Sequence, residues 1–264
     1  MDPIISIRNL TKSYGSKEVL KGINLDIYPG QVIGYIGPNG AGKSTTVKIL
    51  CGLLSDFEGE VTIKGMDIRK DTLKIKGLIG YVPELAELYD VLTPTEFLNF
   101  MGALYNMKPE VTAERMERIL TALGLQSNLN KRMDTFSKGM KQKVLIASGL
   151  LHNPEIIILD EPLSGLDANS VIIIKELISR LAKEGKTIFY CSHMMDIVEK
   201  VSEKIVLIDQ GVIVANGSFA ELKAQLGESS LEQMFANLTV GSTNAGAAGD
   251  IMSAMHTQSG EPNE

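Results

Sequence analysis

The sequence predicts an α/β protein with a mainly parallel sheet, an antiparallel β subdomain before it and a helical insert within it. Three observations carry that expectation. Residues 37–45, GPNGAGKST, satisfy the phosphate-binding pattern G-x-x-x-x-G-K-[ST] between a short apolar strand at 31–36 and a helix continuing through 46–50. Residues 156–159 are consecutively apolar and run straight into Asp160 and Glu161, as in a buried parallel strand with a site at its carboxyl end. Between these two stretches, residues 85–150 change to helical periodicity and helix-start signals.

In chain order, Ile5, Ile7 and Leu10 precede a turn-prone stretch at 12–16, and alternating apolar positions follow from 19 to 27. This reads as antiparallel strand material, closed by a turn at Pro29-Gly30. Tyr14 stands in the first turn, where an aromatic serves equally well as a base-stacking group or as an exposed turn residue. The loop then follows as Gly37, Pro38, Asn39, Gly40, Ala41, Gly42, Lys43, Ser44 and Thr45. Its glycines let successive N–H groups turn toward one anion, and the following helix adds its positive end. Lys43 is placed to reach β- and γ-phosphates, and the Ser44 hydroxyl to ligate Mg²⁺. A chance match to the bare pattern is expected on the order of once per hundred chains of this length.

Residues 52–59 read as a connection, 60–65 as a strand ending in a turn, and 79–84 as a strand stopped at Pro83. Thr93-Pro94-Thr95-Glu96 forms a capping box with proline at the first helical position, ahead of a stripe of Phe97, Phe100, Met101 and Leu104. A second helix spans 114–120 and is closed by Gly124. Ser137 is placed to cap a helix over 138–150. At the end of the apolar strand, Asp160 is placed to hold a Mg²⁺ shell and Glu161 to orient or deprotonate an attacking water. Another strand covers 187–191, and residues 204–209 and 212–215 flank Gln210-Gly211 like a hairpin. Capping boxes at 218–221 and 229–232 predict two short terminal helices. From about 239 onward, Gly, Ala, Ser, Asn and Thr dominate, which predicts a flexible polar tail over 239–264.

The composition narrows the class. The chain has 264 residues, 44% hydrophobic and 22% charged, with a net charge of −6. That length buries a substantial core, and the charge argues against nucleic-acid binding through overall basicity. Cys51 and Cys191 are too far apart in sequence to suggest a disulfide framework or metal motif, and Cys51 reads as an inert buried thiol. The start Met1-Asp2-Pro3 lacks a basic leader, and no apolar run is long enough to span a membrane, so a cytoplasmic location is expected. No internal repeat suggests a second unit of the same kind.

Taken together and in this order, the motifs over residues 3–220 resemble the ATP-binding-cassette (ABC) ATPases, in particular the separate nucleotide-binding subunits of bacterial export-type ABC transporters. The resemblance implies a P-loop NTPase core and one cassette over 1–238, with ATP and Mg²⁺ as cofactors. Tyr14 matches the aromatic that stacks on adenine, residues 37–45 match Walker A and residues 156–161 Walker B. Ser164, Gly165, Leu166 and Asp167 match the D-loop at the dimer contact. His193 matches the switch histidine near the γ-phosphate, which makes Lys43, Glu161 and His193 the implied catalytic set.

Two matches depart from the usual pattern. Where the family reads L-S-G-G-Q, this chain reads Phe136-Ser137-Lys138-Gly139-Met140. Ser137 and Gly139 are kept, and the stretch resembles the S-K-G-M-K-Q variant of export-type cassettes. In the family this helix end contacts ATP on the other subunit, which implies a homodimer or a heterodimer with another such ATPase. Glu84 stands where the family carries a glutamine beside the metal, and it can also offer an oxygen ligand. The resemblance further implies separate transmembrane permease subunits, a peripheral position on the inner face of the membrane and no nucleic-acid partner. A nucleotide-gated regulatory subunit and a non-transport ABC ATPase are the alternative readings.

Overall fold

The computed structural model describes residues 1–84, 88–228, 230–239, Met252 and Met255. Its first unit is a four-stranded sheet in the order β2-β1-β4-β5. Strands β1 (Ile5–Tyr14) and β2 (Lys17–Ile27) form a long antiparallel hairpin. The turn is confined to Gly15-Ser16, so the expected turn at 12–16 is narrower and Tyr14 is still paired, with Lys17.

The chain then enters β3 (Val32–Ile36), the phosphate-type loop and α1 (Lys43–Leu50). It returns to the first sheet for β4 (Glu58–Ile63) and β5 (Met66–Asp67). β4 begins two residues before the expected strand and shortens the connection expected at 52–59. A helix that the sequence pattern hides, α2 (Thr72–Leu78), leads into β6 (Ile79–Val82).

The insert comprises α3 (Pro94–Leu104), α4 (Pro109–Ala122), two 3₁₀ turns and α5 (Lys138–Leu150). The expected capping box is present: the Thr93 side chain accepts from Glu96 N–H, and Glu96 accepts from Thr93 N–H at 2.8 Å. Such a cap contributes about 1 kcal/mol. Residues 85–87, at the expected start of the insert, lie outside the described residues.

The last third supplies β7 (Ile156–Asp160), α6 (Ala168–Lys183), β8 (Thr187–Cys191), α7 (Met195–Val201), β9 (Lys204–Asp209) and β10 (Val212–Gly217). Gln210 and Gly211 both take positive φ, 45° and 85°, as a two-residue hairpin turn requires. α8 (Phe219–Leu226) has the expected box from Ser218 and Glu221. For α9 (Leu231–Thr239) the box expected from Ser229 lies outside the described residues, and the cap seen is Ser230, whose hydroxyl accepts from Gln233 N–H. The tail expected at 239–264 likewise lies outside them, apart from Thr239 at the end of α9 and the exposed helical residues Met252 and Met255.

The main sheet has the order β10-β9-β3-β8-β7-β6, parallel throughout except for β10. Alternation along its buried strands assigns each residue to one of two cores. Val32, Ile36, Ile157, Leu159, Ile188 and Tyr190 face the helical insert and α6 to α9. Ile33, Tyr35, Ile156, Ile158, Phe189 and Cys191 face α1 and the antiparallel sheet. A sheet covered on both faces requires continuous apolar strands, which is why β7 and β8 are buried along their whole length. The observed architecture is the expected mixed α/β one.

Candidate nucleotide and metal site

Parallel order places the carboxyl ends of β3, β8, β7 and β6 along one edge of the sheet. The register aligns them: Tyr35 and Asp160 both pair with Cys191, on opposite sides of β8. The residues that follow, the Gly37 loop, Ser192-His193 and Glu161, therefore converge on one side. The loop residues Gly37, Pro38, Asn39, Gly40, Gly42, Lys43, Ser44 and Thr45 line a cleft of about 610 Å³ with Lys17, Val19, Glu84, Asp160, Glu161 and His193, while Ser192 lies buried behind it.

The loop is shaped by close approach. A Cβ on Gly37 would sit 2.2 Å from the Ile208 carbonyl oxygen, so only glycine lets β9 pass beneath. Gly42 takes φ 112° at the N-terminus of α1, a conformation L side chains rarely adopt. Ala41 is buried below the cleft, and its carbonyl accepts from Gly211 N–H at 3.1 Å, anchoring the loop to the β9–β10 turn. Lys43 folds back so that its ammonium donates to the carbonyls of Gly37 at 2.6 Å and Pro38 at 3.1 Å. The free N–H groups of the first turn of α1 and this ammonium make the cleft a receptor for phosphate groups.

Opposite the loop, Asp160 is 5% exposed, and among the described residues no donor hydrogen-bonds its carboxylate. Burial raises its pKa to about 6; neighbouring Glu84 and Glu161 add to the rise, and Lys43 and Lys48 oppose it. A buried carboxylate without donors, sharing a cleft with the Ser44 hydroxyl and Glu84, is a set of hard oxygen ligands that fits Mg²⁺. The sign of the shift yields a prediction. The folded carboxyl keeps its proton to higher pH than the ordinary 3.8, so stability falls as pH rises from about 4 through 6. At neutral pH the charged form costs on the order of 2 kcal/mol. Asp160→Asn should therefore melt a few degrees higher than wild type at pH 7 in EDTA, with the gap closing at pH 4. A lower melting temperature at pH 7 would show that the carboxylate is already compensated.

Glu161 has φ 47°, a left-handed backbone that is costly for a residue with a Cβ and tends to mark functional positions. Its backbone N–H still pairs with Cys191 O, and its side chain turns across to the end of β8. There Oε1 accepts from His193 N–H at 2.9 Å and lies 2.8 Å from His193 Nδ1, while Oε2 accepts from the Ser192 hydroxyl at 3.0 Å. The His193 ring is 73% exposed over the cleft. The buried thiols Cys51 and Cys191 are both free, and burial raises their pKa; for Cys51 this fits the expected inert role.

Other expected residues fall elsewhere. Tyr14 does not line the cleft; it is 49% exposed, with the Lys12 ammonium 4.9 Å from its ring centre. Its pairing partner Lys17 does line it. Ser137 is exposed and caps α5, accepting from Met140 N–H at 3.3 Å. Gly139 packs against Gly165, and Lys138 Nζ donates to Ser164 Oγ at 2.8 Å, so the α5 terminus and residues 164–167 form one surface away from the cleft. Leu166 packs partly buried on the core, and Asp167 caps α6 by accepting from Ser170 N–H and Oγ. These bonds, and Lys143 at 3.2 Å, hold the Asp167 carboxyl well below the usual range. Ser192 escaped the sequence reading, and Gln142 entered it only as the last letter of the S-K-G-M-K-Q stretch, without the role its buried amide takes in donating to Pro162 O at 3.3 Å just after Glu161. The serine immediately before His193 at a strand end was the available signal for the first.

Known proteins resemble this chain in sequence and in fold. A family model described as "ABC transporter" matches residues 20–164. The chain is 37% identical over 253 residues to the linearmycin resistance ATP-binding protein LnrL of Bacillus subtilis (strain 168), covering 96% of this chain and 80% of that one. It superposes with a TM-score of 0.84 on a solved ATP-binding subunit of an ABC transporter, at 28% identity over 89% of this chain and 99% of the other. The cassette MJ0796, solved as a dimer in a post-hydrolysis state bound to ADP and Pi, gives a TM-score of 0.76 at 29% identity, covering 81% and 98%.

Proposed function

The chain belongs to the ATP-binding cassettes of the ABC transporter family, and on that premise we propose that residues 1–238 form one cassette that binds Mg-ATP, closes head to tail on a second cassette and hydrolyses the nucleotide. The observation that carries this reading is the Glu161 carboxylate, anchored across the cleft from the phosphate-type loop.

In this mechanism the N–H groups of Gly40 and of residues 42–45 at the start of α1 bind the β- and γ-phosphates, while Ala41 N–H stays on the Pro38 carbonyl. Lys43 exchanges its two loop carbonyls for phosphate oxygens. Ser44, Asp160 and Glu84 would hold Mg²⁺, which when bound offsets charge on the phosphate oxygens. Water attacks the γ-phosphorus and yields its proton to Glu161 as the bond to the bridging oxygen breaks, giving ADP and phosphate. His193, against Glu161 Oε1, holds that carboxylate in place and faces the leaving phosphate. Tyr14, paired across the hairpin with Lys17 at the cleft wall, is assigned to the adenine. Ser137, Gly139 and residues 164–167 are assigned to the nucleotide and dimer contact of the opposing subunit, which is a second copy or a related cassette.

Coupling to separate transmembrane subunits draws support from an apolar groove of about 500 Å³ between α2 and the end of α3. Leu73 and Leu104 line it while 85% and 61% exposed, beside Met101 and Tyr105. Such residues are costly to leave in water, which supports assigning the partner contact to this groove. Among the described residues, no helix is long and apolar enough to cross a membrane. We therefore assign the chain a peripheral position beneath such subunits. Export as the direction of transport draws support from the relative named for linearmycin resistance.

The test is phosphate release by the purified chain, titrated against free Mg²⁺, in wild type and Glu84→Gln. Turnover should require Mg²⁺ in both. The variant should keep its maximal rate while needing more metal for half-saturation, because a carboxylate near the ion favours it and an amide does not. Superimposable curves would return Glu84 to a solvated loop acid, and no Mg-dependent release in wild type would overturn the hydrolytic reading.

A further inference from the structure

We propose that Ser192 is a positioning residue for hydrolysis, holding the Glu161 carboxylate in the orientation that receives the proton of the attacking water. The inference rests on the hydrolytic reading above and on a hydrogen-bond chain in which each direction is fixed.

Ser192 is 1% exposed, so its hydroxyl has no access to solvent. It accepts from the Met194 backbone N–H at 3.1 Å and lies 3.0 Å from Glu161 Oε2. A backbone N–H can only donate, so one serine lone pair is committed to Met194. The Tyr190 hydroxyl also lies beside Ser192, but a carboxylate is the stronger acceptor, so the serine proton goes to Glu161.

The consequence is geometric. Oε1 is held by His193 N–H at 2.9 Å and lies 2.8 Å from His193 Nδ1, but contacts on one oxygen alone leave the carboxylate plane free to swing about its last torsion. The second anchor on Oε2 fixes the plane. Each carboxylate oxygen has two acceptor sites, so Oε2 keeps one for water after Ser192 takes the other. Charge-assisted bonds of this kind are the stronger class, and an angular slip at a reacting group lowers rate far more than it lowers binding. Register supports the assignment. Cys191 is paired with Asp160, so the residue after Cys191 necessarily stands beside the residue after Asp160. No other element brings a side-chain hydroxyl to Oε2 among the described residues.

The experiment is a double-mutant cycle on the full chain: wild type, Ser192→Ala, Glu161→Gln and the double variant. ATP affinity is read by equilibrium titration, and turnover by phosphate release, with long single-turnover time courses for the slow variants. Ser192→Ala should lower kcat about tenfold or more while KM and ATP affinity stay within about twofold. In the Glu161→Gln background the same substitution should cost nothing further, because the residue acts only through the carboxylate. Unchanged kcat in Ser192→Ala, or an equal loss in both backgrounds, would overturn the proposal and leave Ser192 as a packing residue. Failure of the underlying reading looks different: Glu161→Gln would itself turn over like wild type, whatever Ser192→Ala does.

Discussion

Glu161→Gln is expected to bind ATP about as well as wild type and to lose at least a hundredfold in turnover, accumulating as an ATP-bound dimer. The amide has the shape of the carboxylate and the same backbone demand at φ 47°, so the strained strand end is retained. One amide oxygen still accepts, from either Ser192 or His193 N–H, and the cleft keeps its form. What disappears is the base. Loss of a positioned proton acceptor costs about 10²- to 10⁴-fold, while the phosphate loop, Lys43 and Asp160 are untouched. Closure that depends on the γ-phosphate then persists because the phosphate is not released. Size-exclusion chromatography with Mg-ATP, beside a phosphate-release assay, checks both halves. A variant that stays monomeric at saturating ATP and turns over normally would remove Glu161 from the reaction. Glutamine is preferred to glycine here because glycine would also relieve the left-handed backbone and mix a stability gain into the result.

The parts of this molecule that were legible in the sequence are those fixed by local rules. The glycine loop, the boxes at Thr93 and Ser218, the strands ending at Asp160 and Cys191 and the Gln210-Gly211 turn each carry their cause within a few residues. What stayed hidden had its cause elsewhere. α2 is only seven residues long, with Ile75 buried and Gly77 inside it, so no helical period accumulates. In α6 the continuous apolar run Val171 to Ile174 masks the helical period, and of the apolar residues of the helix only Ile174 and Ile178 are buried, with Ile172 and Ile173 exposed. Ser192 and Gln142 are tied to the site by strand register and helix packing across 20 or more residues, which a local pattern does not encode. Tyr14 illustrates the opposite case: a motif match located it, yet its place relative to the cleft depended on where the hairpin ended.

Ser137→Arg is expected to abolish most ATP hydrolysis while leaving the ATP affinity of the isolated monomer within about twofold. Within one chain Ser137 is exposed, caps α5 and lies outside the cleft lined by the phosphate loop. Its surface is continuous with residues 164–167 through Lys138 to Ser164 and the Gly139–Gly165 contact. That surface presents the first N–H groups of a thirteen-residue helix, an arrangement suited to a phosphate that this chain's own cleft does not deliver. An arginine there loses the cap, at about 1 kcal/mol, a small part of the stability of a chain this size. It also adds a bulky cation where a second subunit must approach closely, and the ATP-dependent dimer should not form. The decisive contrast is between monomer binding, measured by ATP titration under dilute conditions, and turnover at high protein concentration. If affinity in the monomer collapses with turnover, Ser137 acts on the nucleotide of its own chain and head-to-tail closure is wrong. If affinity holds and turnover is restored by mixing with a Lys43→Ala variant, whose own cleft is disabled but whose Ser137 is intact, the composite site is established. In that mixture the only complete site pairs the phosphate loop of the Ser137→Arg chain with the α5 terminus of the other, so about one site per dimer should turn over.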